Sequence, residues 1–430
     1  MRRVVVTGLG PVAPNGIGKD AFWEALIEGR SGIDRIRRFD ASLYPCQVAG
    51  EVRDFDPEAF MDARHARRLA RFAQLAVAGA RLAVEDAGLT DTDDAEAAQR
   101  GVCLGVSTNA LDFLEREFEA FFKRGGRRTS PVVAAAGFPH AAAAEISIAC
   151  RCQGPTTTIS AGCASGSAAI GHACEEIRVG HAEVMLAGGA DGAVTPFGIA
   201  GMCAARMLPV EEEGEEPGEI SRPFDRTRRG GVLSEGAGVV VLEELEHALR
   251  RRARIYAEVA GYATNAEAYN IIEITEDDAF LERSMRLALA DARLHPTDVD
   301  YVSAHGPSDI CDLQETRALK AVFAEHAYSL AVSSIKSMIG NPLAAAGPLQ
   351  FIATAMALCE QRVPPTINYT TPDPECDLDY VPNRARVCRV NVALVNSHGF
   401  GGANHCIVLR RYPWGNGSRL PRAAKRPALF

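Results

Sequence analysis

No pair of cysteines in this sequence has the Cys-x-x-Cys spacing of a zinc site or a redox centre, although there are twelve cysteines in all. The closest two, Cys150 and Cys152, would face the same side of a strand. Metal: none is therefore expected from cysteine spacing, and free, mostly buried thiols in a reducing cytoplasm are. No apolar run reaches the ~18 residues of a membrane-crossing helix, so no membrane contact is expected. An excess of positive charge is missing too. There are 46 Lys and Arg against 55 Asp and Glu, a net charge of −9, which argues against nucleic acid as a partner. The opening residues, MRRVVVTGLG, enter a strand and turn at once and are read as carrying no secretory leader.

What the chain does have is apolar bulk and a regular rhythm. At 430 residues and 47% hydrophobic, it can bury a large core in two structural units. Short β-branched runs (RRVVVTGLG, RGVCLGVST, AEVMLAGGADG) alternate with helical stretches such as RFAQLAVAGARLAVEDAGL, and the second half repeats the alternation. The pattern predicts an α/β fold of two similar βαβ-rich halves, residues 1–255 and 256–412. A Pro/Gly/Arg-rich tail, 413–430, is expected to be loosely ordered. No residue-level repeat relates the halves.

One cysteine stands apart. In TTTISAGCASGSAAIGHACEEIRVG, Cys163 opens a helix that has almost no bulk on any face. Such a helix must be crowded on all sides, hence central. At a helix's first turn, the unpaired N–H groups and the positive dipole end lower a thiol's pKa. Cys163 therefore reads either as a nucleophile or as one more small buried residue. Three other stretches put chemistry at strand C-termini, where α/β proteins build their sites. These are SAHGPSD around His305, SSIKSMIGNPLAAAG with Lys336 and Asn341, and NSHGFGGANH around Phe400. Taken alone, Asn341 before Pro342 also reads as a plain helix cap.

Together these motifs resemble the β-ketoacyl-acyl-carrier-protein synthases of the thiolase fold, in the branch of elongating enzymes and type II polyketide ketosynthases. The resemblance spans about Arg3 to Tyr412 and includes GCASGSAAIGHA, AHG, SSIKSMIG and NSHGFGGANH. It implies a layered αβαβα architecture with no bound cofactor, the substrates riding on the phosphopantetheine of an acyl carrier protein. Cys163 would be the acylated nucleophile, and the backbone N–H groups of Cys163 and Phe400 the oxyanion hole. Phe400 would also gate the acyl pocket. His305 would stabilise the enolate formed on decarboxylation of a malonyl-type extender, with Lys336 behind it.

The sequence departs from the family pattern at four places. The family's second histidine is Asn341, which offers an amide donor but no acid/base function. The pantetheine-arm loop reads Pro307, Ser308, Asp309 instead of threonine-rich. The glutamate expected opposite Lys336 is Gln350. NSFGFGG becomes NSHGFGG, so that His398 is either an acid/base group or a polar spacer. The implied function is decarboxylative condensation in polyketide or unusual fatty-acyl biosynthesis. The alternative is a non-elongating ketosynthase-like acyltransferase, or a cyclase acting on a Cys163-bound chain. The resemblance also implies a homodimer paired through residues 151–160, or a heterodimer with a second ketosynthase-like subunit. An acidic carrier would dock on Arg64, Arg67, Arg68, Arg71, Arg127, Arg128 and Arg206.

Overall fold

The first strand, β1 (Val4–Ala13), is buried along its whole length, its one polar residue, Thr7, donating to Glu243 at 2.8 Å, as a near-continuous apolar run covered on both faces requires. It lies near the middle of an 11-stranded mixed sheet in the computed structural model. To one side run β5 (Gly236–Glu244), β4 (Val184–Asp191), β2 (Arg100–Gly105) and β3 (Thr156–Ile159). To the other run β6 (Ala257–Ala266), β10 (Ala403–Arg410), β9 (Val392–Gly399), β7 (Tyr301–Ser303) and β8 (Ala331–Ser333). The structure describes residues 1–412 except 91–92, 127–128, 213 and 276. The tail 413–430 and two docking candidates, Arg127 and Arg128, lie outside the described residues.

The two arms of the sheet share one topology. β1 is antiparallel to β5, β5 to β4, and β4 runs parallel with β2 and β2 with β3. The second arm repeats this sequence of senses from β6 through β10, β9 and β7 to β8. The halves are not separate sheets, because Val4, Val5 and Val6 pair with Val259, Glu258 and Ala257. Between the arms lie α3 (Ser165–Val179) and α6 (Ala346–Glu360). Outside the first arm lie α1 (Arg71–Asp86) and α2 (Ala141–Ala149). Outside the second lies α4 (Ala279–Ala292), with α5 (Cys311–Phe323) beside it. The result is the αβαβα layering.

Central position explains the small residues of α3. A Cβ on Gly166 would sit 2.2 Å from the Ala344 carbonyl oxygen, and one on Gly171 would meet the Tyr262 ring at 2.3 Å. It also corrects one expectation. Leu343–Glu360 is an 18-residue helical stretch with mean hydropathy 1.3, long and apolar enough to cross a membrane. It is 89% buried inside the protein, so its apolarity is that of a middle layer packed on both sides. Cys150 and Cys152 are not on a strand: Cys150 ends α2, and the Cys152 thiol donates to the Cys150 carbonyl at 3.7 Å. All twelve cysteines are free thiols.

Arg71 is not a docking residue. Its side chain is 12% exposed and its guanidinium holds Glu235, which is fully buried, through Nε at 3.2 Å and Nη2 at 2.9 Å. Glu235 also accepts from Arg38 Nη1 at 2.8 Å and from the Val52 N–H at 2.9 Å. The arginine run that looked like one basic stripe is therefore split: Arg64, Arg67 and Arg68 are exposed, and Arg71 turns inward.

Candidate active site

The ends of β3, β7 and β9 and the turn after the short helix Lys336–Ile339 converge on one cavity, whose wall includes Cys163, His305, Asn341, His398 and Phe400; the expected placing of Asn341 at a strand end is thus corrected. Cys163 follows β3. It sits just before α3, with Ala164 as the capping residue, and not in the helix's first turn as expected. The Ser165 hydroxyl ties this turn, accepting from the Ala161 N–H at 2.8 Å and donating to the Gly162 carbonyl at 2.6 Å. Gly162 has φ +56°, and a Cβ there would stand 2.9 Å from the Phe400 nitrogen. Glycine is thus needed for both the turn and the close approach, which brings the Cys163 and Phe400 backbones together.

Burial pushes the Cys163 thiol up to about 11, while Lys336 and the Asn341 amide pull it the other way. This reverses the expected lowering, because desolvation of a thiolate outweighs the local positive potential. Alkylation of Cys163 by iodoacetamide should therefore climb about tenfold per pH unit from neutrality upward. Peptide mapping at several pH values checks this, and a rate already flat at neutral pH would contradict it. Cys311 lines the same cavity.

His305 follows β7 and is held from behind. Its Nδ1 accepts the His398 main-chain N–H at 3.3 Å and faces Lys336 Nζ at 3.5 Å. With Nδ1 accepting, the ring proton belongs on Nε2. Burial, Lys336 and His398 hold the imidazole well below its ordinary pKa, so it is neutral at pH 7. Lys336 stands behind it, outside the cavity wall. It donates to the His305 carbonyl at 2.5 Å and to Gln350 Oε1 at 3.1 Å. Burial brings its pKa down to about 8. Gln350 Nε2 in turn donates to the Ala304 carbonyl at 2.5 Å, a bond that an ionised glutamate cannot make.

Asn341 performs two jobs with its two amide atoms. Oδ1 accepts the Leu343 N–H at 3.3 Å, and Nδ2 points to Cys163 Sγ at 3.8 Å. Its backbone is seated between Val232 O and Ser234 N, at 2.7 and 3.1 Å. The expected arrangement is corrected in one respect: Pro342 and not Asn341 is the N-cap residue of the 3₁₀ segment Leu343–Ala345, and Asn341, one place before it, holds the segment's first N–H through Oδ1.

In the arm loop, Pro307 and Asp309 line the cavity but Ser308 does not. Ser308 has φ +76°, is fully buried, and accepts the Arg222 N–H at 3.0 Å, so its hydroxyl is engaged away from the cavity. His398 lines the cavity, with Nδ1 at 2.9 Å from Asn404 Oδ1 and its ring 4.9 Å from that of His305. Two anchors had no distinguishing sequence signal. Glu315 accepts from the N–H groups of His305 and Gly306 and from Asn396 Nδ2, at 2.9–3.0 Å. Asp191, pushed up to about 6 by burial, accepts from Ser107, Thr108 and Ala344 and so ties the loop after β2 and the 3₁₀ turn Leu343–Ala345 to the end of β4. Among the described residues, no group of three His, Cys, Asp or Glu could hold a metal ion.

Comparison with known proteins agrees with this geometry. Residues 1–248 match the family model of the β-ketoacyl synthase N-terminal domain, and residues 256–370 that of the β-ketoacyl synthase C-terminal domain. The chain is 42% identical over 412 residues to the 3-oxoacyl-[acyl-carrier-protein] synthase 2 of Synechocystis sp., covering 96% of this chain and 98% of that protein. A solved type II polyketide synthase acyl-carrier protein in complex with its ketosynthase matches with TM-score 0.88 and 33% identity, over 95% of this chain and 99% of that one. The ishigamide ketosynthase/chain length factor matches with TM-score 0.87 and 33% identity, over 96% and 99%. Both domain models in order, and near-complete coverage at this identity, place the chain in the β-ketoacyl synthase family of acyltransferases.

Proposed function

We propose that this protein is a decarboxylating ketosynthase. Cys163 attacks a carrier-bound acyl thioester, takes the acyl group and releases the carrier thiol. A malonyl-type extender on the carrier then loses CO2. Its α-carbon attacks the Cys163 thioester, which frees the cysteine and leaves a β-ketoacyl carrier two carbons longer. The observation that carries this reading is a pair of donors in one cavity: Asn341 Nδ2, 3.8 Å from Cys163 Sγ, and the Nε2–H of a neutral His305. Together they can hold the oxygen of the forming enolate. The N–H groups of Cys163 and Phe400 serve the tetrahedral step, and Phe400 gates the acyl side. The substrates bring their own phosphopantetheine, and no other cofactor enters the scheme.

The turned-away Ser308 favours a second reading, acyl transfer or cyclisation without extension, because the arm loop has lost a hydroxyl. Intact-mass analysis after mixing the protein with acyl- and malonyl-loaded carriers separates the two. Condensation yields CO2 and the longer β-ketoacyl carrier. An acylated Cys163 with no CO2 released overturns condensation and leaves the transferase or cyclase. Polyketide or unusual fatty-acyl biosynthesis fits the departures at Asn341, Gln350 and His398, and twelve free thiols fit a cytoplasmic setting.

The carrier docks on the exposed arginines Arg64, Arg67 and Arg68, with Arg206 as a further contact. Reversing Arg64, Arg67 and Arg68 to glutamate should slow acylation by an acidic carrier at low salt and flatten its salt dependence. Equal rates for the native and reversed proteins in stopped-flow acylation would refute the assignment. The protein pairs with a two-fold mate through β3, which is an edge of the sheet with Thr156 and Thr157 exposed. Ile148, on the helix α2 that packs against it, is 72% exposed, an apolar surface suited to a partner. Light scattering at micromolar concentration should give a dimer, and a stable monomer would count against it. Recovery only with a second ketosynthase-like chain would indicate a heterodimer.

A further inference from the structure

The wall of the cavity carries acceptors whose own protein donors are already used. His398 Nδ1 is engaged with Asn404 Oδ1 at 2.9 Å, and Asn404 Nδ2 donates to Glu267 Oε1 at 3.5 Å. That second bond fixes the amide's orientation, so Nδ1 of His398 carries the proton and Nε2 is left with its lone pair. Nε2 is buried and has no partner among the described residues. Gln314, on α5, repeats the pattern. Its Nε2 donates to the Thr275 carbonyl at 2.6 Å, while Oε1 is buried and without a partner among the described residues. Glu267 accepts the Thr275 N–H at 3.2 Å and presents its carboxyl to the same space. His398, Gln314 and Glu267 all line the cavity that holds Cys163. His398 and Gln314 are 9% and 6% exposed.

A buried acceptor left unpaired is costly, and a plain saturated chain leaves each of these unpaired. A chain bearing only carbonyl groups would set acceptor against acceptor. Only O–H or N–H groups satisfy them. Much of the remaining wall is apolar, with Met207, Leu208, Ile272 and Leu281 among its residues, and Glu273 and Asp309 add further acceptors beside Glu267; hydroxyl groups on an aliphatic backbone meet both kinds of surface. We propose that this cavity selects acyl chains carrying hydroxyl groups close to the thioester, with His398 Nε2 and Gln314 Oε1 as the accepting atoms. The position of His398, two residues before Phe400, puts the first of these hydroxyls near the reacting carbonyl. The proposal rests on Cys163 being the acylated residue, as inferred above.

The test compares acylation of Cys163 in the full-length protein by two N-acetylcysteamine thioesters, octanoyl and 3,5-dihydroxyoctanoyl, followed by intact mass. The dihydroxy thioester should react at least about tenfold faster, as a site built around hydrogen bonds to its substrate discriminates against analogues that lack them. In the His398→Phe, Gln314→Leu protein that ratio should fall toward one. His398→Phe alone should give an intermediate ratio, which guards against misfolding of the double variant. An octanoyl rate equal to or above the dihydroxy rate overturns the selectivity while leaving Cys163 as the acyl acceptor. A ratio unmoved by the substitutions overturns the assignment to these two atoms. Acylation by neither thioester overturns the role of Cys163, and this proposal with it.

Discussion

Asn341→Ala is expected to lower CO2 release from a malonyl-loaded carrier by roughly 10²–10³-fold, the usual loss when one of two oxyanion donors is deleted. The expectation follows from how the side chain is divided. Oδ1 is occupied by the Leu343 N–H and Nδ2 is aimed at the Cys163 sulfur, so the nitrogen alone faces the place where charge develops. Asn341→His should keep most of the rate, since an imidazole N–H can supply the same bond. The capping half of the residue predicts something much smaller, about 1 kcal/mol of stability in the alanine variant. Turnover per folded molecule separates the two contributions. A full rate in folded Asn341→Ala would reduce the residue to a cap and leave His305 as the sole donor.

Glu235→Ala should lower the unfolding free energy by about 3–5 kcal/mol, because it leaves buried charge without its counterion. Arg71 is the more enclosed partner, at 12% side-chain exposure against 32% for Arg38. The loss should extend to the site: Glu235 adjoins Ser234, whose N–H holds the Asn341 carbonyl at 3.1 Å. Replacing the pair together, Glu235→Leu with Arg71→Met, should recover much of the stability, as apolar replacements of buried ion pairs commonly do. Urea titration of the three proteins provides the measurement. A shift in Glu235→Ala no larger than that of an exposed glutamate would show that the pair contributes nothing.

Much of this molecule could be read from local pattern. Alternation of β-branched and alanine-rich runs yields the strands and helices, since each needs only its own periodicity. The bareness of α3 announces its central place, because nothing else explains so many Gly, Ala and Ser residues in one helix. The positions of Cys163, His305 and Phe400 just after strands follow from the same reasoning, whereas Asn341 comes after the short helix Lys336–Ile339 and not at the end of β8. What was not legible depends on partners far away in the chain. Arg71 looks like Arg67 and Arg68 until Glu235, 164 residues later, takes it inward. Ser308 looks like an available hydroxyl until Arg222 claims it. The direction of the Cys163 shift depends on how completely the fold removes water from the thiol, and no local motif records that. Leu343–Glu360 shows the converse: its composition permits a membrane or a protein interior, and only the neighbouring layers decide.

The pairing of Val4, Val5 and Val6 with Val259, Glu258 and Ala257 has a consequence for how the chain is made. β1 meets one partner at once, Gly16–Ile17 against Val12 and Ala13, yet the neighbours along the rest of its length come from residues 236–244 and 257–259. At ~5–20 residues per second, some 10–50 s pass before both have been synthesised. Throughout that time most of VVVTGLGPVA is an apolar strand without its long-range partners, the kind of segment that recruits other nascent chains. Neither half can close its own central edge, so the sheet is completed only after the second half has begun to emerge from the ribosome, and the first strand made waits for most of the molecule to be synthesised behind it.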